Sequence, residues 1–180
     1  MLKLLLGAIT ASVLYSAITE AANDPGDADK LGFSPKAWGP GVWSFMHICA
    51  LNLPPEFGTS SREFEHFIFT LQKVLPCKEC RDEFQHVLQV ISPRSFLKHG
   101  RIGAIAFTYV IHCIISSRVK AAECTVKFLE TEPKLLKQYM KDNFDVDTEM
   151  KHLYKMAEET QIQLKIDAAL IKWRLHISKH

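Results

Sequence analysis

The chain has 180 residues, of which 47% are hydrophobic and 23% are charged, and its formal net charge is +2. This composition is typical of a globular protein and excludes a fibrous or wholly disordered chain. Acidic and basic residues are interspersed without a long basic run, so nucleic acid is not expected as a partner.

Residues 1–22 have the pattern of a signal peptide or a signal-anchor. Lys3 precedes an apolar stretch from Leu4 to Tyr15, and small residues follow it. The stretch is short against the roughly 20 apolar residues of a membrane-spanning helix. Either form predicts a compartment where disulfides persist, namely the endoplasmic reticulum lumen or the oxidising side of a membrane. Residues 23–35, which carry Asp, Gly and Pro, predict a linker.

The sequence contains five cysteines: Cys49, Cys77, Cys80, Cys113 and Cys124. An odd number cannot all pair within one chain, and five are few for a scaffold held together by disulfides. We therefore expect a hydrophobic core to hold the fold and some of the cysteines to serve chemistry.

Apolar residues recur at intervals of three and four from Trp38 onward, which is typical of amphipathic helices. Four segments carry this pattern or a continuous apolar run: 38–51, 60–75, 77–91 and 102–119. Ser60 and Glu63 predict a capping box for the second segment. A strand is the alternative for the fourth segment, where Val, Ile and Tyr are frequent. Four helical segments with short breaks predict an all-α helix bundle.

The C-terminal part predicts a short helix from Pro133 to Phe144 and a longer one from Asp147 to Ile177. The longer helix has two apolar faces. The first consists of Leu153, Ala157, Leu164, Ala168, Ile171 and Leu175, and the second of Ile162, Ile166, Ala169, Trp173 and Ile177. Such a helix needs two neighbours, of which one is the bundle and the other a second subunit or a partner. A partly stranded segment is the alternative.

The segment Cys77-Lys78-Glu79-Cys80 follows a proline and begins a helix. Free N–H groups and the helix dipole at this position lower the pKa of the first cysteine. We expect Cys77 to be the exposed sulfur and Cys80 the buried one. A zinc site and a purely structural disulfide are the alternatives, although the sequence has no second CxxC to complete a zinc site. The helical surroundings argue against a thioredoxin-like module.

The segment Trp38–His47 resembles the W-G-x-x-x-W-x-x-x-H opening of the Erv/ALR-type FAD-linked sulfhydryl oxidases, and P-C-x-x-C follows at a similar distance. Their H-N-x-V-N motif is matched less well at 112–116, where Cys113 and Ser116 replace the two asparagines. The resemblance implies an FAD-binding domain at residues 36–137. It implies a four-helix bundle with an additional short helix, followed here by a C-terminal helical extension at 138–180.

The resemblance also implies a thiol oxidase that forms disulfides in protein substrates. A substrate dithiol attacks Cys77, Cys80 passes the electrons to FAD, and dioxygen accepts them to give hydrogen peroxide. No cysteine precedes Cys49 or follows Cys124, so the shuttle pair of many relatives is absent. Cys77 is then expected to react directly with a partner such as a thioredoxin-like or CxxC-bearing carrier.

The resemblance also implies a homodimer. Relatives occur in the mitochondrial intermembrane space and in large DNA viruses, so these are alternative locations for this protein. The other class of function is a non-catalytic interaction or structural protein with a stapling or zinc-binding CxxC.

The residues that the resemblance assigns to FAD are Lys36, Trp38, Gly39, Trp43, His47, Glu79, His112, Ser116, Arg118 and Lys120. Trp43 and His47 lie one helical turn apart and can face one ligand; core packing is the alternative for Trp43 and for His112. No metal is expected. Relatives often carry a structural disulfide near the end of the helix that carries His112, and the resemblance implies that Cys113 and Cys124 form it here. The alternative is that Cys113 is buried and free. Cys49 is expected to be a core thiol.

Overall fold

The protein, represented by a computed structural model, is described over residues 34–116 and 146–179. These ranges contain α1 (Pro35–Leu51), α2 (Thr59–Val74), α3 (Lys78–Val90), α4 (Pro93–Leu97), α5 (Gly100–Ser116), α6 (Val146–Glu159) and α7 (Ile162–Ile177), and no strand. The all-α prediction is confirmed. Helices α1, α2, α3 and α5 form the bundle, and α4 is the additional short helix. The stranded alternatives are wrong for the described residues.

Helix α1 begins at Pro35, three residues before the start of the predicted helical pattern at Trp38. The Ser34 side chain accepts a hydrogen bond from the Lys36 backbone N–H, and Pro35 occupies the first turn, where its missing N–H costs nothing. The helix ends at Leu51, ahead of Pro54. Pro35, which the sequence assigned to the linker, is therefore the first helical residue.

Helix α2 begins earlier than predicted. Its N-cap is Gly58, in extended conformation and without a side-chain capping bond. Ser60 and Glu63 lie inside the helix, so the predicted capping box is wrong. At the other end of the bundle, Glu65 of α2 is buried and forms an ion pair with Arg94 of α4, whose Nε lies 3.1 Å from Oε1 of Glu65.

Helix α5 is the centre of the molecule, because each of the other described helices contacts it. Two glycines of α5 allow the backbone of neighbouring segments to approach this helix closely. Gly100 adopts φ +61, and a Cβ there would lie 2.0 Å from the Pro55 carbonyl oxygen. A Cβ on Gly103 would lie 1.9 Å from the Phe96 carbonyl oxygen. The helix is buried along nearly its whole length, as its continuous apolar run predicted.

The C-terminal extension contains two helices instead of the predicted single one. The helix is interrupted at Thr160 and Gln161, and Gln161 adopts a left-handed φ of 51°. Thr160 Oγ1 donates to the Met156 carbonyl at 2.7 Å, and Lys165 Nζ donates to the Thr160 carbonyl at 2.8 Å. These bonds satisfy the carbonyls at the end of α6, which stabilises a break that the apolar periodicity does not reveal.

Helix α7 has two apolar faces, but the predicted membership of these faces is partly wrong. Leu153 and Ala157 lie on α6 and are buried, and Ile177 of the predicted second face is 52% exposed. Ile162, Ile166 and Ala169 are buried against the bundle. The opposite face is exposed, with Leu164 at 63%, Ile171 at 56% and Leu175 at 59%. Helix α7 contacts α3 and α5, and His176 of α7 is hydrogen-bonded to His86 of α3.

Within residues 34–116 and 146–179, no helix has both the length and the apolar character needed to cross a bilayer. Several predictions concern residues outside these ranges: the signal segment 1–22, most of the linker, the short helix from Pro133 to Phe144, and the residues Arg118, Lys120 and Cys124.

Candidate active site

The CxxC forms the N-terminus of α3. Cys77 and Cys80 are disulfide-bonded with their Cα atoms 5.2 Å apart. Cys77 is the N-cap, and its Sγ accepts a hydrogen bond from the Cys80 backbone N–H at 3.1 Å. Both residues are half-buried, so the prediction of an exposed Cys77 and a buried Cys80 is not borne out. Cys80 packs against the hydrophobic core. A helix N-terminus therefore points its N–H groups at the sulfur of Cys77, as the sequence predicted.

The turn before the disulfide is held by an arginine that sequence reasoning missed. Arg81 Nη1 donates to the Leu75 carbonyl at 2.6 Å, and the Arg81 backbone N–H donates to the Cys77 carbonyl at 3.1 Å. One residue of α3 thus ties down both ends of the Leu75-Pro76-Cys77 turn. This fixes the position of Cys77 relative to the helix.

A cavity of about 470 Å³, called here the disulfide pocket, lies against this turn. Its lining is Pro35, Trp38, Gly39, Val42, Trp43, Met46, Leu71, Leu75, Cys77, Glu79, Cys80, Glu83, Phe84 and Ile115. Most of these residues are apolar or aromatic, and the carboxylates Glu79 and Glu83 stand one helical turn apart on α3. Both cysteines are thus in the wall of an apolar cavity of ligand-binding size.

A second cavity of about 660 Å³, called here the histidine pocket, is also lined by Trp43. Its lining is Pro35, Lys36, Gly39, Pro40, Trp43, Ser44, His47, Tyr109, His112 and Ser116. Pro35, Gly39 and Trp43 line both cavities. The two pockets therefore adjoin and together suit an elongated ligand.

Trp43 and two histidines form the wall of the histidine pocket. The rings of Trp43 and His112 are stacked, with centroids 4.2 Å apart and planes 10° apart. His47 Nε2 lies 3.1 Å from His112 Nδ1. Burial, and secondarily the neighbouring His112, lowers the pKa of His47 from 6.5 to about 4. Burial also lowers the pKa of His112, so both rings are neutral at pH 7.

Each predicted cofactor residue within the described ranges lines one or both pockets. Trp38 and Glu79 line the disulfide pocket; Lys36, His47, His112 and Ser116 line the histidine pocket; Gly39 and Trp43 line both. Arg118 and Lys120 lie outside the described residues. Trp43 packs against the core as well as lining the pockets, so core packing and a place in the ligand pocket are compatible for this residue.

Sequence reasoning missed Tyr109, Glu83 and Thr108. Tyr109 precedes His112 by three positions and Ser116 by seven, which places all three on one face of α5. Glu83 follows Glu79 by four positions. These helical spacings could have identified Tyr109 and Glu83 from the sequence. Thr108 gave no such signal, because it contacts His47 on another helix.

The remaining cysteines differ from one another. Cys49 is free and half-buried, packs against the core, and has a pKa raised by burial, which confirms the core-thiol prediction. Cys113 is disulfide-bonded, so the alternative of a free Cys113 is wrong; its partner lies outside the described residues. In residues 34–116 and 146–179, no three His, Cys, Asp or Glu side chains converge on a metal site.

The described structure defines a class of protein: a helical bundle whose CxxC disulfide faces an aromatic, apolar ligand pocket. The model of the Erv1 / Alr family matches residues 40–134, more than half of the 180 residues, and the chain belongs to this family. A fowlpox virus (strain NVSL) protein described as a probable FAD-linked sulfhydryl oxidase is 28% identical over 76 residues. The match covers 42% of this chain and 73% of the viral protein. No solved structure matches the chain.

Family membership confirms the identification made from the Trp38–His47 and P-C-x-x-C motifs. The chain is an FAD-dependent sulfhydryl oxidase, which acts on thiols with dioxygen as acceptor. The residues present suit the cofactor on physical grounds. Gly39 lines both pockets, and a Cβ added to it would meet no atom within 4 Å. Helix α1 thus leaves room beside the aromatic wall.

Proposed function

We propose that the Cys77–Cys80 disulfide oxidises protein dithiols and passes their electrons to FAD held in the two adjoining pockets. One observation carries this proposal: Cys77 and Cys80 both line the disulfide pocket, which shares Pro35, Gly39 and Trp43 with the histidine pocket. A structural staple has no need of a ligand cavity against both of its sulfurs. The proposal extends the thiol oxidase activity of the family to specific residues.

The two pockets differ in chemistry in a way that suits the two ends of FAD. The disulfide pocket, with its apolar and aromatic lining, suits the isoalloxazine ring. The histidine pocket, with its neutral imidazoles and Lys36, suits the adenosine and diphosphate end. When bound, FAD takes up two electrons from the reduced CxxC and gives them to dioxygen. Arg118 and Lys120 are proposed as further cations for the diphosphate.

The two cysteines are proposed to have unequal roles. A substrate thiolate attacks Cys77 Sγ, forms a mixed disulfide and releases the Cys80 thiolate. The second substrate thiol then attacks the substrate sulfur of the mixed disulfide and releases Cys77 as a thiolate. Substrate leaves as a disulfide, and the CxxC holds two electrons more than before, as two thiolates. The substrate's thiol protons pass to solvent. The Cys80 N–H, 3.1 Å from Cys77 Sγ, stabilises the thiolate at Cys77.

The substrate is proposed to be a protein dithiol that reaches Cys77 directly. The sequence contains one CxxC, and the substrate is proposed to exchange its dithiol with this pair itself. A small thioredoxin-like or CxxC-bearing carrier has the matching chemistry. The non-catalytic alternative, a helical interaction or structural protein, predicts a folded chain that binds no flavin.

The sequence divisions are retained as proposals. Residues 1–22 are a signal peptide or signal-anchor, and the linker runs from residue 23 to the start of α1 at Pro35. Residues 36–137 are the FAD-binding domain and 138–180 the C-terminal extension. They favour the endoplasmic reticulum lumen or a membrane tether on the oxidising side. The viral relative makes a virion the first alternative, followed by the mitochondrial intermembrane space.

A homodimer is proposed through the exposed face of α7. Leu164, Ala168, Ile171 and Leu175 are exposed and spaced at four, three and four positions. This spacing is that of a two-helix seam. The face covered by the bundle lies opposite, so a second copy of α7 can pack here without displacing the bundle.

The test combines a spectrum with oxygen uptake. Purified protein is expected to show a flavin absorption spectrum and to consume oxygen when given a dithiol. Cys77→Ser and Cys80→Ser are each expected to abolish uptake while bound flavin is retained. Cys49→Ser is the matched control, because Cys49 is a free thiol outside both pockets. Folded but colourless protein would contradict the proposal.

A further inference from the structure

A polar chain runs from the interior of α5 to the histidine pocket. Thr108 is completely buried, and its Oγ1 lies 3.3 Å from Nδ1 of His47. Nε2 of His47 lies 3.1 Å from Nδ1 of His112. His112 in turn lines the pocket and stacks on Trp43. The chain therefore connects a buried hydroxyl to a ring that faces the cofactor cavity.

The direction of these hydrogen bonds follows from the surroundings of Thr108. Its hydroxyl carries one proton, and Oγ1 lies 3.1 Å from the Ala104 carbonyl and 3.0 Å from the Ile105 carbonyl. Carbonyl oxygens can only accept, so the hydroxyl donates its proton to the helix backbone. Thr108 Oγ1 is then the acceptor for His47, and His47 carries its proton on Nδ1.

The same reasoning passes from one ring to the next. A neutral His47 with its proton on Nδ1 presents an unprotonated Nε2. That nitrogen accepts a hydrogen bond, so Nδ1 of His112 must donate it. A neutral His112 with its proton on Nδ1 has an unprotonated Nε2. Burial lowers the pKa of both rings, which keeps them neutral at pH 7.

We propose that Thr108 is a positioning residue that acts through His47 to set the tautomer of His112. The pocket consequently presents an acceptor, Nε2 of His112, to a hydrogen-bond donor on the cofactor. This inference rests on the proposed function, in which the histidine pocket holds the adenine end of FAD. The exocyclic amino group of adenine is the donor with matching chemistry, whereas a carbonyl oxygen at that position would meet a second acceptor.

The stack on Trp43 completes the arrangement. With centroids 4.2 Å apart and planes 10° apart, the tryptophan fixes the plane of the His112 ring. His47 fixes the rotation of the ring within that plane through its hydrogen bond to Nδ1. The position and the protonation of Nε2 are therefore both determined before the cofactor arrives, which favours selective binding.

The first test reads the tautomers directly. Nitrogen-15 NMR of the holoprotein is expected to show His112 protonated on Nδ1 and not on Nε2. In Thr108→Val, which keeps the shape and removes the acceptor, the His47 and His112 signals are expected to move towards a mixture of tautomers. Thr108→Ser restores the hydroxyl and is expected to restore the wild-type signals. A wild-type His112 protonated on Nε2 would overturn the proposal.

The second test measures cofactor selectivity. Purified holoprotein is incubated with equal amounts of FAD and an analogue in which hypoxanthine replaces adenine, and the bound ratio is measured by mass spectrometry. We expect wild-type protein to prefer FAD by about tenfold or more. Thr108→Val is expected to lose most of this preference, and Thr108→Ser to keep it. Equal preference in wild type and Thr108→Val overturns the proposal.

These outcomes separate the inference from the proposed function. Protein that binds no flavin refutes the proposed function, and with it the selectivity half of the inference. Active, flavin-loaded protein with the opposite His112 tautomer refutes the inference alone. Should Thr108→Val fail to fold, the wild-type and Thr108→Ser spectra and the wild-type FAD preference still decide.

Discussion

At the scale of single residues, the site depends on side chains that are neutral and close to one another. His47 is 6% exposed, and its ring contacts Thr108 on one side and His112 on the other. On the adjoining stretch of α1, Gly39 contributes by leaving space. Two predictions follow, one about the space beside Gly39 and one about the protonation of His47.

The first prediction concerns the space beside Gly39. Gly39→Leu is expected to place a side chain in the cavities and to lower FAD affinity by about tenfold or more, because the cofactor would have to share that volume. The measurement is the flavin content of purified protein and the dissociation constant of FAD. Gly41→Leu is the matched control, since Gly41 is exposed, lies on the same helix and lines neither pocket. Equal flavin loss in both variants would contradict the prediction.

The second prediction concerns acid. Burial lowers the pKa of His47 from 6.5 to about 4, so between these values the unfolded chain binds more protons than the folded one. The free energy of unfolding therefore falls as pH drops from about 6.5 to about 4, by up to about 3 kcal/mol for this group. Urea unfolding across this range measures it. His47→Gln is expected to flatten the slope, and an unchanged slope would refute the assignment.

At the scale of elements, the bundle is assembled around α5. Helix α1 brings the aromatic wall, α3 brings the disulfide, and α5 brings His112, so the pockets exist only where these helices meet. The short helix α4 crosses α5 closely, and the pair of Glu65 and Arg94 joins it to α2. The helix crossing at Gly103 is therefore a point where one methyl group has a large effect.

The third prediction tests this crossing. Gly103→Ala would place its Cβ 1.9 Å from the Phe96 carbonyl oxygen, so α4 must move or α5 must tilt. We expect a loss of about 3 kcal/mol or more in the free energy of unfolding, measured in urea. Gly41→Ala is the control. Its Cβ would meet no atom within 4 Å, so it is expected to stabilise the helix by about 0.5–1 kcal/mol. A loss below about 1 kcal/mol for Gly103→Ala would mean that the helices separate easily.

At the scale of the whole molecule, α6 and α7 extend the family bundle. The family match ends at residue 134, and both helices lie beyond it. Helix α7 covers α3 and α5 with its buried face and presents the opposite apolar face to solvent. This arrangement leads to the prediction about assembly.

The fourth prediction is a change of oligomeric state. Wild-type protein is expected to sediment as a dimer, and Ile171→Glu as a monomer, because a charge would replace an apolar side chain at the centre of the proposed seam. Lys172→Glu, on the neighbouring exposed position, is expected to remain dimeric. Analytical ultracentrifugation measures both. A dimer that persists in Ile171→Glu places the interface elsewhere.

The features that depend on neighbours along the chain were predictable from the sequence. The apolar periodicity indicated the helices, the CxxC after Pro76 indicated the N-terminus of α3, and the Trp43–His47 spacing placed two ring side chains on one face. These are local because an α-helix repeats every 3.6 residues and because a cap is read from adjacent positions. The same locality is why the motifs sufficed to identify the family.

The way in which these helices meet depends on contacts between residues far apart in the chain. The hydrogen bond between His47 and His112 joins residues 65 positions apart, and the ion pair of Glu65 and Arg94 joins residues 29 apart. Periodicity also gave no sign of the break at Gln161, since hydrogen bonds around Thr160 stabilise it. No local pattern encodes such contacts, because they arise when separate helices pack together. The motif residues of the site are therefore predictable from the sequence, whereas the contact of Thr108 with His47 becomes visible only in the folded chain.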